Sequence, residues 1–173
     1  MKLQSLYKAI DKAQVVSFDV FDTLLLRPYL KPMDMFIHME RAHKCFGFAQ
    51  RRLRASHVFH LKHGREKEAT LDDIYDQMPE FADMKQVELD WEWQTIRGNG
   101  EMKSFWDYAL QHGKSVIALS DMYLPPEFVA RLLEHNGFTG ASKLFVSATA
   151  GAAKSAGEGG DVASLTLPLG RWA

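Results

Sequence analysis

The chain has 173 residues, 46% of them hydrophobic, enough for one sizeable core with a small helical appendage and too few for two full domains. Its 21 basic and 22 acidic residues leave a formal charge of −1, so no general electrostatic attraction draws it to nucleic acid or to an anionic membrane. A single cysteine, Cys45, excludes an intrachain disulfide and any cysteine-rich metal site.

The opening segment, MKLQSLYKAIDKAQ, carries charges throughout and lacks the apolar run of about 7–15 residues that marks a signal peptide. No later stretch approaches the roughly 18 apolar residues of a membrane span, and the expectation is a soluble cytoplasmic protein. Leu3, Leu6, Ile10 and Ala13 recur at helical spacing, and Val15, Val16, Phe18 and Val20 then form a short β-branched run of strand length. From Pro32 to about Arg97 the pattern turns to long helices, one of them starting at Thr70, where Asp73 completes an approximate capping box. EMKSFWDYALQH reads as a further helix closed by Gly113, and KSVIALS as a second buried strand. Pro125 and Pro126 open a helix that runs to about His135 and stops at Gly137, and KLFVS supplies a third strand. The remaining ATAGAAKSAGEGGDVASLTLPLGRWA reads as a loop or poorly ordered tail in which SLTLPL can add one irregular strand.

Strands alternating with helices predict a parallel sheet with helices on both faces and a ligand site beyond the carboxyl ends of the strands. Those ends are Asp19, Ser120 and Ser147. The strongest chemical signal is the first strand running straight into DVFDTLL, which sets a carboxylate at a strand end ahead of a turn whose amides can face an anion. Taken alone, Asp19 and Asp22 can simply cap that turn, and Ser120 with Asp121 can be a helix-entry pair.

Three motifs in order, VVSFDVFDTLLLRP, VIALSDMYLP and AAKSAG, make residues 14 to 157 resemble the haloacid dehalogenase-like hydrolase superfamily. SFDVFDTLLLRP, TLDDIY and SDMYLP are most similar to members linked to surface-polysaccharide genes. The resemblance implies an α/β core, a three-layer Rossmann-like parallel sheet made of residues 1–30 and 101–173, with a helical cap inserted at 31–100. It implies Asp19 as nucleophile, Thr23 and Ser120 as substrate-binding residues and Lys154 as the cation that neutralises charge. A magnesium ion would be held by Asp19 and the carbonyl of Phe21. A carboxylate is a weak nucleophile, and such a site works by aligning the electrophile and meeting its developing charge.

Two departures stand out. Phe21 occupies the place where an acidic residue moves a proton, help typically worth about 10²–10⁴-fold. The acidic fourth motif is missing, because the chain ends at Ala173 and Asp161 lies too near Lys154 to replace it. The core is thus expected to be truncated at the carboxy terminus, leaving the Asp19 strand as a sheet edge. SLTLPL, a second copy of the chain, or an altered carboxy terminus would account for that edge. The resemblance implies a phosphatase acting on a small phosphorylated metabolite through an aspartyl-phosphate intermediate. Its rivals are metal-free carbon–halogen hydrolysis and a catalytically impaired binding module.

Other features carry plainer expectations. His57, His60 and His63 recur every third residue without a carboxylate at ligand spacing. Trp91, Trp93, Trp106 and Phe105 are expected to pack the insertion against the core, and RRLR at 51–54 to form a solvated helix face.

Overall fold

The computed structural model describes residues 3–63, 69–147 and 162–165. The first helix, α1 (Leu3–Lys12), buries Leu6 and Ile10 and ends on Lys12, whose charge suits the negative end of the helix dipole. It leads into β1 (Val15–Asp19), in which Val16, Ser17 and Phe18 are all buried. Burial on successive residues means both faces are covered, the mark of an inner strand in a parallel sheet.

After β1 the backbone folds sharply. The Val20 amide donates to Leu119 O, Leu25 N to Val20 O, and Asp22 N to Leu25 O, with Asp22 in the left-handed region at φ 60°. The two-residue strand β2 (Leu25–Leu26) pairs antiparallel with β3 (Arg97–Gly98). Everything between, α2 (Pro32–His43), α3 (Phe48–His63), α4 (Leu71–Asp76), a 3-10 turn at Pro79–Phe81 and α5 (Met84–Thr95), therefore leaves and returns at one clasp. Gly98 leaves little room there, since a Cβ would meet Asn136 Cβ and its carbonyl oxygen at 3.2 Å, tighter than ordinary contact. Thr70 caps α4 in the anticipated way: its hydroxyl accepts from Asp73 N, and the Asp73 carboxylate accepts from Thr70 N.

Past the clasp come α6 (Gly100–Gln111), β4 (Ser115–Ser120), α7 (Pro126–His135) and β5 (Lys143–Val146). Gly113 and Gly137 follow α6 and α7 at φ 69° and 83°, a backbone that costs glycine least. A last strand, β6 (Val162–Leu165), closes the described chain. Among the described residues the sheet order is β5-β4-β1-β6, every pair parallel. The protein is thus α/β, a parallel sheet flanked by helices.

β1 is not an edge. Val162 to Leu165 pair with Val15 to Phe18, so the chain's own tail lies along the strand, beginning two residues before SLTLPL. The rest of that segment lies outside the described residues.

One continuous apolar core runs from Val16 and Phe18 of β1 through Trp106 of α6 to Met35, Phe36, Phe48 and Ile74 of the long helical stretch. Trp106 packs 5.3 Å from Phe18 and donates through Nε1 to Thr139 O, so its one polar atom is satisfied. Phe105 is buried beside Tyr7 of α1. Trp93 of α5 stacks on His135 and meets Phe128, both of α7, while Trp91 packs among His38, His43 and Tyr29.

RRLR departs from expectation at one residue. Arg52 is 1% exposed, its Nε and Nη2 donating to the two Glu88 oxygens at 2.8 and 2.7 Å, and its Nη1 to Ser56 Oγ. Glu88 is fully buried too. A helix face that includes a buried arginine is not a solvated one; the carboxylate on α5 overrides the local charge pattern.

Candidate active site at the carboxyl ends of the sheet

Asp19 closes β1 and Ser120 closes β4, adjacent parallel strands in which Asp19 pairs with Leu119 and Ser120 with Val146. The register brings Asp19 and Ser120 to the same end of the sheet, one level apart, with Ser147 one residue beyond Val146 on the next strand over. The Thr23 hydroxyl, buried in the turn, donates to Asp19 Oδ2 at 3.0 Å. The turn is braced from the clasp: Asn99 Nδ2 donates to Thr23 O, and Asn99 N to Leu24 O. The left-handed Asp22 lets the chain reverse within four residues and point Thr23 back at Asp19.

The hydroxyls of Ser120 and Ser147 are buried and have no hydrogen-bond partner among the described residues, and the same holds for Ser17 inside β1. Leaving such a group unpaired costs about 1–3 kcal/mol. Ser120 and Ser147 stand at strand ends, whereas Ser17 lies two residues back within its strand.

Phe21 is buried under a cation: Arg27 Cζ lies 4.3 Å from its ring centroid. Arg27 donates from Nε and Nη2 to both oxygens of Glu92 at 3.0–3.2 Å, and Nη2 also reaches Met122 Sδ. Burial works against the Arg27 charge, but the Glu92 carboxylate outweighs it and the guanidinium is held more firmly protonated than usual. Burial pushes the Glu92 carboxyl up, with Arg27 opposing.

A second buried group stands beside it. Glu88 accepts from Arg52 and from the Tyr75 hydroxyl at 2.8 Å, and the Arg52 guanidinium stacks 4.7 Å from the Tyr123 ring. Burial pushes the Tyr123 phenol well above its ordinary value, and the Glu88 charge adds to the effect. Tyr123 belongs to the loop after Ser120, and its carbonyl accepts from Leu71 N at the start of α4. α5 thus presents two buried carboxylates one helical turn apart: Glu92 holds Arg27, which follows β2, and Glu88 holds Arg52 of α3, whose guanidinium in turn meets Tyr123 in the loop after β4.

The sequence reading gave no role to Arg27, Glu92 or Glu88, and it took Arg52 only as part of a solvated face. A legible signal existed: Met84, Glu88 and Glu92 recur every fourth residue, placing two carboxylates on the same face as an apolar side chain, and all three are buried. Lys154 and Asp161 lie outside the described residues. His57 is exposed, and among the described residues no three or more His, Cys, Asp or Glu side chains gather as metal ligands. No helix among the described residues is long and apolar enough to cross a membrane.

No protein-family model matches the chain, and no curated protein matches it either.

Proposed function

We propose that the protein is a hydrolase of the haloacid dehalogenase-like type, acting on a small phosphorylated metabolite through an aspartyl-phosphate intermediate. The observation that carries this reading is the Asp19 carboxylate at the end of an inner parallel strand, with the Thr23 hydroxyl donating to Oδ2 and, at the end of the neighbouring strand, a buried Ser120 hydroxyl without a partner among the described residues. A ligand in such a sheet binds beyond the strand ends, where this set lies.

In this reading the Thr23 hydrogen bond fixes the carboxylate rotamer so that one oxygen faces the phosphorus. Ser120 donates to an oxygen of the transferring group, a partner its hydroxyl does not find among the described residues. Lys154 supplies positive charge to the same group. Asp19 and the Phe21 carbonyl hold magnesium, which supplies charge neutralisation at the phosphoryl oxygens when bound. Residues 31–100 act as the cap that covers the strand ends and selects the substrate. Because the clasp and the buried Arg27–Glu92 pair fasten this stretch to the segment that follows β1, it serves as a fixed roof over the site.

The test is hydrolysis of an aryl phosphate by the purified protein with and without magnesium, beside Asp19→Asn. Turnover that needs the metal and falls at least a hundredfold in the variant is the expected result. Equal background rates in both proteins would overturn the reading. Metal-independent halide release from a haloacid, lost in Asp19→Asn, would replace it with carbon–halogen hydrolysis.

A further inference from the structure

Arg27 sits between the two loops that frame the candidate site, and no motif assigned it a role. Its guanidinium covers Phe21 on the β1 side and touches Met122 on the β4 side, while the buried Glu92 holds it from behind through Nε and Nη2. Its Nη1 makes no hydrogen bond with the described residues, and the side chain retains 14% exposure. A fixed cation whose Nη1 edge is unused among the described residues therefore stands over Phe21, which occupies the place where a phosphatase would ordinarily carry the residue that protonates the leaving group.

The chemistry of that exchange is specific. A phenyl ring cannot donate a proton, so the leaving oxygen must depart as an anion; a guanidinium N–H lowers the energy of that anion without transferring a proton to it, because arginine stays charged. We propose that Arg27 meets the leaving oxygen and restricts the site to phosphoryl donors with weakly basic leaving groups, acyl phosphates and phosphoanhydrides in preference to simple alkyl phosphates. The inference rests on the aspartyl mechanism given above. In the first step an Asp19 oxygen bonds to phosphorus while the bond to the leaving oxygen breaks, its electron pair leaving on that oxygen beside Arg27, and the released anion takes its proton from water. In the second step water attacks the aspartyl phosphate, the Asp19 oxygen–phosphorus bond breaks, and phosphate departs with the proton passing to solvent.

Aryl phosphates graded from acidic nitrophenols to phenol itself provide the test, with log kcat/KM plotted against leaving-group pKa. The slope within one protein does not depend on how much of the sample is folded. The wild type is expected to fall steeply, and Phe21→Asp, which restores a proton donor, to flatten the line and raise the phenyl phosphate rate at least tenfold. The pair Arg27→Gln with Glu92→Gln, which removes both buried charges together, is expected to steepen the line. A flat wild-type line alongside turnover lost in Asp19→Asn would overturn this inference and leave the hydrolase reading standing. An equal loss across all esters in the Arg27 and Glu92 double variant would reduce the pair to a structural fastener. Absence of any Asp19-dependent turnover would sink both.

Discussion

Arg52 shows how far a single residue can depart from its neighbourhood. Within RRLR it follows an arginine and precedes a leucine and another arginine, a pattern that reads as a wet helix face, yet it is the side chain most completely surrounded by protein in that run. Its charge is tolerable only because Glu88 meets it in a two-pronged hydrogen bond, while Ser56 takes a further donor and Tyr75 satisfies the carboxylate from the other side. Removing one partner of such a pair strands the other charge, at about 3–5 kcal/mol, whereas replacing both by apolar groups of similar volume is often neutral. Denaturant unfolding of Arg52→Met, Glu88→Met and the double variant is expected to show two strongly destabilised singles and a double close to wild type. Doubles that lose the sum of the two single effects would mean that the charges do not depend on each other. Asp19, by contrast, was readable as a carboxylate ending an apolar strand, whereas Thr23 entered only through the family resemblance and its hydrogen bond to Asp19 came from the fold of the turn.

Elements followed their local signals closely. Proline at the start of α2 and α7, glycine after α6 and α7, and the Thr70 to Asp73 box at α4 each sit where capping and turn chemistry put them. α4 has six residues and depends on that cap more than a long helix would, and its first amide is also tied to Tyr123 in the loop after Ser120. Thr70→Ala is expected to cost about 1 kcal/mol, seen as a lower denaturation midpoint, with Thr70→Ser recovering most of it. Equal midpoints for all three proteins would show that the Leu71 to Tyr123 bond alone holds the helix start. The β2 and β3 clasp escaped sequence reading because two-residue strands carry no periodicity; only their mutual pairing defines them.

For the whole molecule the decisive arrangement is the order β5-β4-β1-β6. The strand bearing Asp19 is interior only because Val162–Leu165 returns to pair with it, and without that return its backbone groups on one side would be an open template for another chain. A chain shortened to end at residue 160 is therefore expected to self-associate, shifting to larger species in light scattering, while the full chain under the same conditions does not. A monodisperse shortened chain of the same size as the full one would show that β6 is dispensable for covering β1.

The sequence by itself determined the alternation of strand and helix, the long helical excursion after the first strand, and the carboxylate and hydroxyl at the strand ends, because each of these rests on spacing within a few residues. Only the tertiary structure decided which strand is interior, where the excursion is clasped, and that Glu88 and Glu92 reach from α5 to grip arginines 36 and 65 positions earlier in the chain. Those pairings join segments whose local patterns are indifferent to one another. A buried charge becomes affordable only once folding has carried its partner to it, and no local spacing encodes that meeting.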